Sequence, residues 1–208
     1  MRPHYRCLLL FFLLAISGCT RPSAPHREQP APVLLELPQT RQATPYTCGI
    51  AVVQSILAYN GFDYRQDVLE EKVGATPEDG TGPRAIVASL EEHGIGGEIV
   101  ENMTMAQLRG HIGSGRPVIC FLQAWNDDPG FDYSTGWEDG HYAIAIGYDA
   151  DRIYFMDPST IANYTFIDNE KFLARWHDGD DTHQVRQAGI VVTNVSPVYK
   201  RDAFLPML

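Results

Sequence analysis

Four side chains in this sequence form a set able to break an amide bond: Gln42, Cys48, His141 and Asp157. Cys48 opens an apolar stretch, Gly49 to Tyr59, in which Ile50, Ala51, Val53, Ile56 and Leu57 recur at near-helical spacing and Gly61 is a stop. A thiol in the first turn of a helix meets unpaired N–H groups and the positive end of the helix dipole, and both favour the thiolate. Gly49 removes a side chain beside the sulfur and leaves room for a substrate. Gln42 lies six residues upstream, near enough to fold back and donate an N–H to an oxyanion, with the Cys48 backbone N–H as the second donor. Gly140-His141 begins an apolar strand, and imidazole is the natural base for a thiol. Asp157-Pro158 closes the next strand, where a carboxylate would hold the ring and fix its tautomer. Each residue taken alone has an ordinary reading: a buried small hydrophobe, a satisfied edge histidine, a turn aspartate, a solvated amide.

The elements that must position these groups read as α+β, helices mostly first and strands mostly last. After the cysteine helix, which is apolar on most sides and therefore central, helices are predicted over 65–73, 83–92 and 104–112, the last with Thr104 and Gln107 as a capping box. A final helix is predicted over 169–177. Strands are predicted over 97–101, 117–125 and 188–193, with a hairpin of 141–148 and 152–157. Along the first hairpin strand His141, Ala143, Ala145 and Gly147 share one face, small apart from the histidine, which would let the cysteine helix approach. A two-residue turn at Ala150-Asp151 would pair residue 157 with 144, on the wrong face. A three-residue loop pairs it with 143, on the histidine face, so an odd-numbered loop is expected.

Gln42-Ala-Thr-Pro-Tyr-Thr-Cys48-Gly49 resembles the nucleophile motif of papain-like cysteine peptidases of the bacteriocin-processing, double-glycine leader peptidase type, cysteine peptidase family thirty-nine. Gly140-His141-Tyr142 is similar to that family's histidine motif, and Tyr154-Phe-Met-Asp157-Pro158 to its Asp-Pro motif. The resemblance spans roughly residues 39 to 175. It implies a papain-like fold with the nucleophile helix packed on a C-terminal antiparallel sheet. It also implies Cys48 as nucleophile, His141 as general base, Asp157 as orienter and Gln42 as oxyanion donor, with no metal or organic cofactor. Thr47 stands where many members carry Asp. No phosphate-binding GxxxxGK[ST] motif accompanies the domain, so no nucleotide partner is implied, and the catalytic groups carry over better than the leader-peptide substrate does.

Around this core the expectations are coarser. The 16 Lys and Arg against 26 Asp and Glu give a net charge of −10, and no basic stripe offers a nucleic acid a surface. Arg2 and Arg6 precede an apolar run, Cys7 to Ile16, too short to span a bilayer. Ile16-Ser17-Gly18-Cys19 then resembles a lipobox, which implies a signal peptide over 1–18 and a lipid on Cys19 as the membrane contact. Thr20 after that cysteine points to a cell-envelope protein on the outer membrane facing the periplasm. A proline-rich tether is expected over 19–38, the peptidase domain over 39–195 and a tail over 196–208. The loop from Asn126 to Gly140 would rim the site, with Phe131, Tyr133 and Trp137 available to line a groove. Its carboxylates either favour neutral or basic substrates or are simply solvated. Gly49, Gly140 and Trp137 are the candidate substrate contacts. His177 to His183 fits no metal template. Cys120 reads as core, and its pairing with Cys48 would turn the site structural. The readings open at this stage are a peptide or protein amide hydrolase, an acyltransferase using the same thioester, and a non-catalytic binding module.

Overall fold

The computed structural model describes residues 32–160, 162–179, 182–204 and 206. The expected signal peptide, Cys19 and most of the expected tether fall outside them. In chain order the elements are β1 (Val33–Leu34), α1 (Cys48–Tyr59), α2 (Gln66–Val73), α3 (Pro83–Glu91), β2 (Gly96–Val100), α4 (Met105–Gly113), β3 (Val118–Gln123), β4 (Gly140–Tyr148), β5 (Arg152–Met156), β6 (Thr165–Asp168), α5 (Asn169–Arg175), β7 (His177–Gly179), β8 (Gln184–Arg186) and β9 (Gly189–Thr193). Among the described residues no helix is long and apolar enough to cross a membrane.

The sequence periodicity translates directly into most of these elements. Pro83 occupies the first turn of α3, where its missing N–H costs nothing. Thr104 and Gln107 form the reciprocal capping box at the start of α4. The strands make a mixed-length antiparallel sheet in the order β2-β9-β3-β4-β5-β6, with β1 added to β4. β7 and β8, too short and polar to be expected, form a separate hairpin. Helices cover both faces. Ile119, Phe121, Ile144, Ile146, Ile190 and Val192 pack with α1, α2 and α3. Cys120, Leu122, Ala143, Ala145 and Phe155 face Leu108 and Ile112 of α4 and Phe172 of α5. The architecture is α+β, as the residue pattern implied.

Three expectations are corrected. First, the cysteine helix lies on the large face of β4, with Ile144 and Ile146, and not on the alanine face. A helix apolar nearly all round is held by the area it buries, and two isoleucines offer more than two alanines. Second, the β4–β5 loop is not odd-numbered. The Asp149 N–H donates to the Arg152 carbonyl at 3.1 Å, so Ala150-Asp151 is a two-residue turn, with the Asp149 carboxylate accepting from the N–H groups of residues 151 and 152. Gly147 pairs with Tyr154, but Ala145 pairs with Phe155, so Ile146 is an extra residue, a β-bulge. The bulge does what an odd loop would have done and returns residue 157 to the His141 face. Its carbonyl accepts from the Leu35 N–H at 2.7 Å, so the N-terminal strand satisfies the group that the bulge frees.

Third, the folded domain begins before residue 39. Val33 and Leu34 pair with Tyr148 and Gly147, and Leu37 is fully buried. At the other end the tail packs on the end of α1, where the Val198 N–H donates to the Tyr59 carbonyl at 3.0 Å and the Ser196 N–H to Asn60 Oδ1 at 2.6 Å.

Candidate active site

α1 presents Cys48 at its first position. The Thr47 hydroxyl does not cap the helix; it turns back to the Thr44 carbonyl at 3.2 Å and accepts from the Thr44 N–H at 3.0 Å. No acidic side chain stands in the first turn. The leading N–H groups of α1 are therefore left to whatever sits beside the sulfur. Cys48 is 8% exposed, a free thiol at the surface of the core. Cys120, also free, lies fully buried in mid-strand on the other face of the sheet, and burial pushes its thiol up. Its separation from α1 by the sheet disposes of the structural-disulfide alternative in this arrangement.

His141, buried at the start of β4, is the meeting point. Its Nε2 lies 2.8 Å from Asp157 Oδ1. An ionised carboxylate only accepts, so Nε2 carries the proton and Nδ1 is the free base. Burial alone would push this imidazole down, but the hydrogen bond to Asp157, the interaction with the Cys48 side chain and the charges of both outweigh it and leave the ring more basic than usual. For Asp157 the balance has the same form. Burial pushes the carboxyl up, while the His141 hydrogen bond and charge, the Ser159 N–H and the Thr160 hydroxyl together hold it below its ordinary value. Ser159 N–H donates to Oδ1 at 2.9 Å and Thr160 Oγ1 to Oδ2 at 2.9 Å. Asp157-Pro-Ser-Thr is thus an Asx-type turn whose donors fix the carboxylate. The Ser and Thr that follow Asp157-Pro158 are the signal for this turn in the sequence.

Gln42 sits in the loop before α1. Its Nε2 donates to the carbonyls of Thr44 at 2.9 Å and Pro45 at 3.1 Å, and its Oε1 accepts from Ser159 Oγ at 3.0 Å. The Gln42 N–H also donates to the Pro158 carbonyl at 3.1 Å. The residue ties the nucleophile loop to the aspartate turn, and its amide hydrogens point into that loop.

Of the three candidate substrate contacts, Gly49 and Gly140 adjoin Cys48 and His141, with other residues packed against them, and Trp137 stands outside the groove. A Cβ on Gly49 would stand 2.5 Å from Thr81 Cβ, so its missing side chain makes room for buried Thr81 rather than for a substrate. The Tyr142 hydroxyl donates to the Thr81 carbonyl at 3.0 Å and holds that segment over α1. A Cβ on Gly140 would stand 2.8 Å from Asp178 Oδ1. Trp137 packs edge-on to His177, with ring centroids 4.4 Å apart, under the Arg186 guanidinium. A groove of about 350 Å³ does reach His141 and Asp157, on the alanine face. Leu122, Ala143 and Phe155 floor it, and Trp125, Tyr133 and Phe166 stand among its walls. Of the expected aromatic lining, Tyr133 is in it, while Phe131 and Trp137 are not.

Asp178 lies in the run His177 to His183, which in the sequence reads only as an acidic loop without a metal template. Its Oδ1 accepts from Gln123 Nε2 at 3.1 Å and from the Gly179 N–H at 2.9 Å. Burial pushes its carboxyl up to about 6, against those two hydrogen bonds and the charge of His141.

Comparison with known proteins bears on the family and the fold. The family model described as Peptidase C39 like family matches residues 34–181. No curated protein matches the chain. Among solved structures, a C39-like peptidase from Bacillus anthracis is similar at 18% identity and a TM-score of 0.58, over 80% of this chain and 100% of that one. The peptidase domain of Streptococcus ComA, a bi-functional ABC transporter involved in quorum sensing, gives 18% identity and a TM-score of 0.56, over 74% and 96%. A double glycine motif protease from an AMS/PCAT transporter, solved with its leader peptide, gives 14% and 0.53, over 77% and 96%. These likenesses establish the shared fold, and with the match over most of its length the chain belongs to the Peptidase C39 like family.

Proposed function

We propose that the protein is a cysteine peptidase that cleaves a peptide amide through Cys48, His141 and Asp157. The observation that carries this reading is the buried His141–Asp157 pair, 2.8 Å apart, whose ring also interacts with a thiol at the uncapped start of a helix. In the cleavage, Cys48 attacks the carbonyl carbon and His141 Nδ1 manages the proton, first from the thiol and then to the leaving amine. Asp157 holds the imidazole and stabilises its cation. The Cys48 N–H at the head of α1 is one oxyanion donor. Gln42 becomes the second if one of its amide hydrogens leaves the Thr44–Pro45 carbonyls for the substrate, a short rotation that the Ser159 contact to Oε1 permits. Water then hydrolyses the thioester. The groove on the alanine face suits a peptide substrate, and a neighbour of the same fold was solved with its leader peptide. The lipidated Cys19 would hold the domain at the outer membrane, facing the periplasm.

The test uses the chain from residue 20 onward and a mixture of fluorogenic peptides, with products read by mass. Cleavage to a free carboxylic acid, abolished by Cys48→Ala and by His141→Ala with the fold retained, is the expected result. Activity surviving Cys48→Ala would refute the mechanism. Products carrying an added amine would show acyl transfer through the same thioester. A Cys48 that alkylates no faster than Cys120 would favour the binding-module reading.

A further inference from the structure

Two carboxylates interact with His141, and only Asp157 has a role in the cleavage. The other is Asp178, whose carboxylate lies over the Cα of exposed Gly140; Oδ1 and Oδ2 fall 2.8 and 3.3 Å from where a Cβ would stand. Side chains alternate along β4, so Asp178 occupies the face of Tyr142 and α1, opposite the groove. It feels the charge of His141, and its own charge is felt by the Tyr142 phenol, which also feels Cys48. Tyr142 in turn binds Thr81, and Thr81 packs on Gly49, next to the nucleophile. Asp178 therefore stands beside Gly140, the residue next to the general base His141, and reaches the Cys48 end of α1 only through Tyr142 and Thr81.

What it lacks is a cation bonded to it. Among the described residues it makes no ion pair, and both donors that reach it bond to Oδ1, none to Oδ2. Arg186, on the neighbouring strand, is stacked on Trp137 at 4.9 Å. His177 Nε2 is bonded to the Gly136 carbonyl. The cations close to the site, Lys171 and Arg175, lie along the groove on the other face. A largely buried carboxylate left unpaired is costly, and its raised carboxyl reflects that cost.

We propose that Asp178 is a specificity-determining residue that receives a cationic group, an ammonium or a guanidinium, carried by the substrate next to the amide that Cys48 attacks. The two faces of β4 then sort the substrate, with an apolar stretch in the groove and a positive charge at Asp178. The proposal rests on the peptidase reading, but its test needs no turnover.

Cys48 is modified with three methanethiosulfonates of similar size: trimethylammonioethyl (cationic), its isostere 3,3-dimethylbutyl (neutral) and sulfonatoethyl (anionic). In each, the thiolate attacks the sulfenyl sulfur, a mixed disulfide forms and methanesulfinate leaves. Rates are taken at low salt near pH 7.5 and divided by those for a small free thiol. The cationic reagent should lead the neutral one by roughly tenfold in the native protein, and Asp178→Asn should bring the ratio close to one while the neutral rate changes little. Asp128→Asn, on the exposed rim, should leave the ratio as it was. A native ratio of one overturns the proposal without any variant. So does a cationic preference that survives Asp178→Asn, or one that Asp128→Asn removes instead. A Cys48 inert to all three reagents would overturn the peptidase reading and the proposal with it, whereas a reactive Cys48 indifferent to charge overturns the proposal alone.

Discussion

Asp157 and Asp178 bear on one imidazole from opposite faces of β4, and burial raises both carboxyls. They part company in what compensates. Asp157 has the His141 hydrogen bond at 2.8 Å, a backbone N–H and a hydroxyl, spread over both oxygens, and ends below its ordinary value. Asp178 has an amide and one N–H, both on Oδ1, with His141 acting only through its charge and not by a hydrogen bond, and ends near 6. The difference shows that burial does not decide the charge state here. The number of donors and the closeness of a cation do.

The largest expected consequence lies in turnover. Asp157→Asn keeps the shape but lets the side-chain amide donate, which favours the wrong imidazole tautomer. A loss of roughly 10²–10⁴ in kcat is expected, mostly independent of KM. Asp178→Asn, assayed on an uncharged peptide, should stay within a few-fold of the native enzyme, its losses confined to KM for cationic peptides. Equal losses on a neutral peptide would show that both carboxylates orient the ring, and the distinction between them would fall.

Stability should move in opposite directions. Asp157 has a depressed carboxyl, so it contributes stability that is present above its ordinary 3.8 and lost as pH falls through the folded value. Asp178 has a raised one: the folded state binds its proton more tightly between 3.8 and about 6, so stability declines as pH rises through that window. Near neutral pH, Asp157→Asn should therefore destabilise the fold by about 1–3 kcal/mol. Asp178→Asn should stabilise it by about 1–2 kcal/mol, after discounting for its partial exposure. Urea midpoints at about pH 5 and pH 8 check both, because the gain from Asp178→Asn should shrink at the lower pH. A destabilising Asp178→Asn would mean that its hydrogen bonds outweigh its burial.

The two carboxylates also differed in how legible they were. Asp157 could be read because it closes a β-branched and aromatic strand before a proline, opposite a histidine of matching parity. Residue 157 does reach the His141 face, but through a bulge and not through an odd-numbered loop. Inside Ala-Ile-Ala-Ile-Gly-Tyr nothing distinguishes Ile146 from Ile144, so a bulge that shifts the register by one leaves no local mark. The partner that stabilises it, Leu35, lies over a hundred residues away. Asp178 was illegible because His177-Asp-Gly and Gln-Val-Arg are too short and polar to announce a hairpin, and in an acidic run one carboxylate looks like the next. Glycines misled in the same way. Gly49 and Gly140 do mark close approaches, but to Thr81 and Asp178, which only the fold brings near. Helix α1 was readable as central because it is apolar on most sides, yet that same property hid which face of the sheet it covers.

The smallest expected effect tests the donor count itself. Thr160→Val keeps the volume and removes only the hydroxyl that donates to Asp157 Oδ2, while His141 and the Ser159 N–H still hold Oδ1. A hydrogen bond to a charged group contributes about 1.5–3 kcal/mol when fully buried, and half-buried Thr160 should fall toward or below the lower end. The Asp157 carboxyl should rise, moving the acid limb of kcat/KM upward by about half a unit to one unit and lowering the plateau a few-fold. Asp157 would thereby be moved one step toward the condition of Asp178. If the acid limb stays in place, water replaces the hydroxyl on Oδ2, and the contrast between the two carboxylates comes from the imidazole alone rather than from the turn that follows the aspartate.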